Sequence, residues 1–183
     1  MSCIKIELPN LKYKDSFLAG MREFSCLDSE CRYAKYAKSM SDEEFEKEVV
    51  QPKLEAMTGK GLPEGWVPST VFWIIQTDTE EYVGRIDLRH SLTESLRTLG
   101  GHIGYDIVPS KRGKGYVKAA LRLVLEEAHK MGIEQVLITC DEDNEPSRRT
   151  IAGAFQEYGG KEDVMLKDND KNKLRFWINA RKA

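Results

Sequence analysis

The residues best placed to do chemistry lie together in Ile107-Val108-Pro109-Ser110-Lys111-Arg112-Gly113-Lys114-Gly115-Tyr116. An apolar strand ends there, the backbone turns through Gly113 and Gly115, and a helix begins. The first turn of a helix leaves backbone N–H groups without intrahelical partners. Those groups sit at the positive end of the helix dipole. Gly113 and Gly115 remove Cβ atoms where an anion must approach the backbone. Lys111, Arg112 and Lys114 add positive charge at the mouth. The segment is therefore expected to cradle a phosphate or pyrophosphate. Spacing excludes two other phosphate sites. No third glycine follows Gly115 to complete GxGxxG, and GxxxxGK[ST] is absent.

Further titratable groups gather in two places. His102 and Asp106 stand on one expected strand and share a face. An imidazole with an ordinary pKa of ~6.5 suits proton removal near neutrality. Asp106 would then orient it or attract an amine. The competing expectation is that His102 only caps its strand. Arg85, Asp87 and Arg89 alternate onto one face of another strand, with His90 at its end. Two guanidinium groups on one face can clamp a carboxylate or phosphate. Alternatively, the face is solvated and Asp87 pairs with its neighbours. Asn144 is placed to cap a helix that opens at Pro146, with Ser147 in its first turn. Asp141-Glu142-Asp143 lacks the spaced ligands and central glycine of a calcium loop. Cys3, Cys26, Cys31 and Cys140 form neither a CxxC pair nor a four-ligand set, so no disulfide, zinc or other metal is expected.

These groups need elements to hold them. Ile4–Leu8 reads as a short strand, and Leu11 to about Phe24 as a helix. Ser41 and Glu44 form a capping-box pattern for a second helix to about Met57, with Pro52 expected to break or kink it. Gly59–Pro68 is a loop. Val71–Gln76 and Tyr82–Arg89 read as a hairpin, and Ser91–Gly101 as a polar loop or short helix. A strand at His102–Val108 leads through the glycine turn into a helix to about Met131, ended by Gly132. Gln135–Cys140 is a continuous apolar strand. A helix from Pro146 to Gly159-Gly160 follows, then strands at Asp163–Leu166 and Leu174–Asn179 around the turn Lys167–Lys171. The order gives an α/β (α+β) domain with a mixed sheet. The unit from His102 to Cys140 makes its two strands parallel.

Two motifs carry a resemblance. Arg112, Gly115 and Val117 stand at the spacing Arg/Gln-x-x-Gly-x-Gly/Ala, with Val117 in place of the small residue. Asn144-Glu145-Pro146-Ser147 stands at the spacing Asn-x-x-Ser/Ala. From about Val71 to Gly160 the chain resembles the GNAT superfamily of N-acetyltransferases. Gly84–His90 and Gly100–Tyr105 are similar to runs in a group of predicted bacterial members. The resemblance implies a mostly antiparallel sheet flanked by helices, with a splayed parallel pair binding acetyl-CoA. It implies cofactor contacts from Ile107, Val108, Arg112, Gly113, Lys114, Gly115, Tyr116, Val117, Asn144 and Ser147. It sets His102 where several relatives carry a catalytic Glu, with Asp106 beside it, and offers Arg85, Arg89 and His90 to the acceptor. One departure is clear. Ile151 stands where many relatives carry a Tyr that protonates the CoA thiolate, and Tyr158 lies nearly two turns further on.

The bulk composition agrees. The chain has 183 residues, 40% hydrophobic and 32% charged, with a net charge of −2. Residues 1–183 are expected to form one domain. The charge gives no global field for nucleic acid. No apolar run approaches the ~20 residues that span a bilayer. The N-terminus shows no secretory pattern, so a cytoplasmic protein is expected. The expected acceptor is a small-molecule amine, with an anionic group favoured by the paired arginines. Many relatives pair, which allows a homodimer. Two other readings stay open: a non-catalytic acyl-CoA-binding or sensor module, and a protein N-acetyltransferase.

Overall fold

The computed structural model describes residues 3–28, 30–168 and 171–182, with backbone alone over 162–168 and 171. The expected turn at Lys167–Lys171 falls partly outside these residues. The elements are β1 (Ile4–Glu7), α1 (Lys14–Leu27), α2 (Asp42–Phe45), α3 (Gln51–Thr58), β2 (Ser69–Gln76) and β3 (Glu81–Arg89), then β4 (Ile103–Ile107), α4 (Tyr116–Lys130), β5 (Gln135–Asp141), α5 (Glu145–Tyr158), β6 (Gly160–Asp168) and β7 (Lys171–Asn179).

The strands form one sheet in the order β1-β2-β3-β4-β5-β7-β6. Every neighbouring pair is antiparallel except β4 and β5. Strand β2 shows why both faces are covered. Its side chains alternate across the sheet. Ile74 joins one apolar cluster, while Val71, Trp73 and Ile75 join another on the opposite face.

Helices α4 and α5 cover the first face. Ala120, Leu121, Val124, Leu125 and Ala128 make a buried stripe along α4, and Ile151, Ala154 and Tyr158 do so along α5. Helix α1 covers the second face with Phe17, Leu18, Met21 and Phe24. Phe45, Val49 and Val50 complete that layer. Trp73 sits at its centre and is 0% exposed. It stacks on Phe17 at 4.9 Å and meets Tyr82 edge-on at 5.3 Å.

Local details follow from local chemistry. The Ser41 capping box forms in full: the hydroxyl accepts from the Glu44 N–H, and the Glu44 carboxylate accepts from the Ser41 N–H. Pro52 does not end the second helical segment. A π-helical stretch at Glu46–Val50 precedes it, so Pro52 falls in the first turn of α3, where a missing N–H costs nothing. The Ser91–Gly101 region contains another π turn, Leu96–Gly100.

Strands β4 and β5 share one registered pair, Ile103 with Ile138. Beyond it they part, while β4 stays paired with β3 as far as Ile107.

Trp73→Ala should lower stability by ~3–5 kcal/mol, the usual cost of emptying a large aromatic site in a core. Urea unfolding at neutral pH measures it.

Candidate active site

The glycine turn takes the conformation its sequence demands. Pro109–Lys111 makes one 3-10 turn after β4. Gly113 and Gly115 follow with φ of 76° and 77°, the left-handed region that glycine favours. A Cβ at either position would meet no atom within 4 Å. Both glycines therefore face open space rather than protein. Gly115 is the N-cap of α4, and no side chain caps that end.

A cleft of about 580 Å³ opens from this turn. Residues 105–107 and 111–118 line one side, with Asn144, Pro146, Ser147 and Thr150 from α5 on the other. Two of the basic side chains hold the turn in place. Lys111 Nζ reaches Glu81 Oε2 at 2.9 Å, and Arg112 Nε donates to the Ile107 carbonyl at 3.2 Å. The uncapped amides of α4 thus offer the anion site directly. Open space above two glycines, helix amides and flanking cations fit the pyrophosphate of a coenzyme A thioester.

The inner end of the cleft holds a pair of hydroxyls. Asn144 Oδ1 accepts from the Ser147 N–H at 3.2 Å and fixes the start of α5. Ser147 Oγ lies 2.6 Å from Tyr105 Oη in a shared hydrogen bond. Burial pushes the Tyr105 phenol up to about 12, so it remains a proton donor at neutral pH.

The backbone at the fork is also informative. The Val108 N–H donates to the Val83 carbonyl, and the Arg89 N–H donates to the His102 carbonyl. The even-numbered residues of β4 therefore turn their peptide groups toward β3. By alternation, Tyr105 and Ile107 turn their N–H groups toward β5, past the last β4–β5 pair.

On the opposite face of the sheet lies a cluster of charges. The Asp106 carboxylate accepts from the Arg32 guanidinium, from Tyr33 Oη at 2.5 Å and from Arg85 Nη2 at 3.2 Å. Arg85 Nη1 donates to Asp87 Oδ2. Lys53 Nζ donates to the Val49 carbonyl at 2.8 Å. Burial, with Arg85 and Lys35 nearby, lowers the Lys53 ammonium to about 8.

The other expected site residues fall as follows. Arg89 Nη1 donates to the carbonyls of Gly101 at 2.8 Å and Gly100 at 3.2 Å. His90 Nε2 is 2.8 Å from Thr70 Oγ1, away from the cleft lining. Val108 is buried under α1 with its N–H engaged, also outside the cleft lining. His102 is 7% exposed. Its ring Nδ1 accepts from the Leu137 N–H at 2.9 Å, and its backbone N–H donates to the Leu137 carbonyl at 2.7 Å. Burial, then Arg97 and Arg89, hold its pKa down to about 4. The ring is not among the cleft residues, and the partners of Asp106 are Arg32, Tyr33 and Arg85. Sequence reasoning missed Arg32, Lys53 and the Tyr105–Ser147 pair. Only the alternation of Tyr105 with Ile103 and Ile107 hinted at the last.

A helix N-terminus without a side-chain cap, opening on a parallel strand pair that parts, suits an acyl-CoA thioester. The chain belongs to the GNAT acetyltransferases: the family described as "Acetyltransferase (GNAT) domain" matches residues 20–153. It is thus an acetyl-CoA-dependent enzyme. No curated protein matches it in sequence. Solved structures match in fold. The ribosomal-protein-S5-alanine acetyltransferase of Vibrio fischeri is 14% identical with a TM-score of 0.66, covering 96% of this chain and 93% of that one. RimL, a ribosomal L7/L12 α-N-protein acetyltransferase solved with coenzyme A, is 17% identical with a TM-score of 0.63, covering 98% and 97%. MccE, the microcin C7 self-immunity acetyltransferase in complex with acetyl-CoA and AMP, is 18% identical with a TM-score of 0.60, covering 96% and 92%.

The His102 geometry gives a pH prediction. Its folded pKa is depressed, so the unfolded chain takes up a proton near ~pH 6.5 that the native state refuses. The stability it contributes is present above that pH and is lost as pH falls toward about 4. His102→Asn keeps an oxygen to accept from the Leu137 N–H. Urea midpoints at pH 7 and pH 5 should differ less in this variant than in the native protein.

Proposed function

We propose that this protein transfers the acetyl group of acetyl-CoA directly to the primary amine of a compact small molecule. The observation that carries the reading is the hydroxyl pair Tyr105–Ser147, 2.6 Å apart, at the inner end of the cleft that starts at the α4 N-terminus. Acetyl-CoA supplies an activated acyl carbonyl and a thiolate leaving group. The amides of the first turn of α4 hold the pyrophosphate. The Ile107 N–H, turned into the fork, polarises the thioester oxygen as an oxyanion donor does. Ser147 Oγ donates a proton to the departing sulfur, and Tyr105 Oη replaces it through their shared bond.

Ile151 supports the assignment by its burial. It is 0% exposed within the apolar core beside α4, so α5 presents no hydroxyl there. Tyr158 lines a different cavity with Arg122, Glu157 and Lys182.

A compact acceptor is favoured because α1 and the Ala34–Tyr36 turn crowd the second face of the sheet. The Arg85 and Asp106 side chains are only 15% and 26% exposed there. Arg85 is spent on Asp87 and Asp106, and Arg89 on the Gly100 and Gly101 carbonyls. The acceptor therefore needs no anionic group. The chain acts as one catalytic unit in a reducing, cytoplasmic setting, a reading supported by the thiols of Cys26, Cys31 and Cys140. Among the described residues, no helix is long and apolar enough to cross a membrane.

Calorimetry with acetyl-CoA should show binding to the native protein and none to Gly115→Glu, which sets a carboxylate where the pyrophosphate lies. Thiol release with an amine panel then follows turnover. Ser147→Ala should lower kcat by ~10²-fold, and Tyr105→Phe by ~10-fold, with acetyl-CoA affinity kept. Unchanged kcat in both variants would exclude the pair as the donor. Binding of acetyl-CoA with no turnover of any amine would favour a non-catalytic acyl-CoA module.

A further inference from the structure

Across the sheet from the hydroxyl pair, β3 and β4 set Asp87 opposite Gly104. Gly104 leaves a gap. A Cβ there would meet nothing nearer than Arg89 Nη2, at 3.9 Å. Alternation along the strands puts Asp87, Arg89 and Asp106 around this gap, on the face opposite Tyr105. The gap also adjoins the fork, because β4 leaves β5 just after Ile103.

The polar groups around it are committed, with one exception. Arg85, Arg89, Asp106 and Lys53 all have protein partners. Asp87 Oδ2 accepts from Arg85 Nη1. Asp87 Oδ1 is buried and has no hydrogen-bond partner. A buried carboxylate oxygen without a donor is costly, and native proteins tolerate it where something else supplies the donor.

Taking acetyl transfer as the reaction of the cleft, we propose that Asp87 Oδ1 receives the ammonium of the acceptor in the gap over Gly104 and removes one proton from it. The acceptor class is a cationic primary amine, whose ammonium supplies the donor that Asp87 Oδ1 lacks. The balance is simple. The ammonium N–H breaks and its proton goes to Asp87, leaving a lone pair on nitrogen. That pair forms the N–C bond as the C–S bond breaks. The sulfur takes a proton from Ser147. The extra proton of the new amide passes to the Tyr105–Ser147 pair and restores both hydroxyls, and Asp87 returns its own to solvent.

The surroundings suit this role. Burial raises the Asp87 carboxyl above its ordinary range. Arg85, Arg89 and Arg32 oppose that rise, and Asp106 adds to it. Lys53 faces it from α3, and Tyr82 from within β3. A carboxylate raised toward neutrality is a stronger base than an exposed one.

Two variants test the assignment, with tyramine, spermidine and glucosamine as acceptors and thiol release as the readout. Asp87→Asn should lose ~10²-fold in kcat/KM and lose the low-pH fall of the native profile, with acetyl-CoA affinity unchanged by calorimetry. Gly104→Val suits a strand, and its Cβ meets nothing nearer than Arg89 Nη2 at 3.9 Å, so native circular dichroism is expected. It should raise the amine KM by ~10-fold without moving acetyl-CoA affinity. A native pH profile in Asp87→Asn, or a native KM in Gly104→Val, would overturn the assignment while leaving acetyl transfer standing. If the native protein binds acetyl-CoA but turns over none of the amines, acetyl transfer itself fails, and Asp87 loses its role with it.

Discussion

Two hydrogen bonds between His102 and Leu137 fix where the sheet opens. The His102 N–H donates to the Leu137 carbonyl, and the Leu137 N–H returns to the His102 ring. One registered pair follows, Ile103 with Ile138, and then the strands diverge. Below this point the sheet is continuous and both faces are packed. Above it, peptide groups of β4 that would bond β5 are left for a ligand. A neutral, buried imidazole is well suited to this anchor, because it accepts a backbone N–H without carrying charge into the sheet.

The two faces divide the chemistry. On one side, α4 and α5 bring helix amides and the Ser147 hydroxyl to the fork from elements whose apolar stripes fix their positions. On the other, α1 and α3 enclose a set of charged groups held by hydrogen bonds to one another and to backbone carbonyls. Burying such a set is expensive unless each member is paired. The set lies between β3 and the N-terminal helices, with the Asp87 Oδ1 oxygen left without a partner.

Local features were legible in the sequence, and distant ones were not. The glycine turn, the Asn144 cap and the Ser41 capping box each depend on residues within a few positions, and all three stand as read. The parallel pair followed from the β-α-β order. Arg85, Asp87 and Arg89 were correctly set on one face. Their partners Arg32, Tyr33 and Asp106 come from segments that no spacing connects. The ring of His102 is anchored by the N–H of Leu137, on the far side of α4, and its burial and the nearby Arg97 and Arg89 keep it neutral. The π turns at Glu46–Val50 and Leu96–Gly100 leave no pattern that distinguishes them from ordinary helix or loop.

The glycines answer to different masters. At Gly84 a Cβ would lie 2.4 Å from the Asp106 carbonyl oxygen, and at Gly160 1.9 Å from that of Trp177. Those two are held by the fold, and any descendant that still folds must keep them. Gly113 and Gly115 touch nothing within 4 Å, so no neighbouring atom enforces them. What favours glycine there is the left-handed backbone and the open approach above it. Erosion at Gly113 and Gly115, with Gly84 and Gly160 intact, would mark lineages that kept the scaffold after abandoning the thioester.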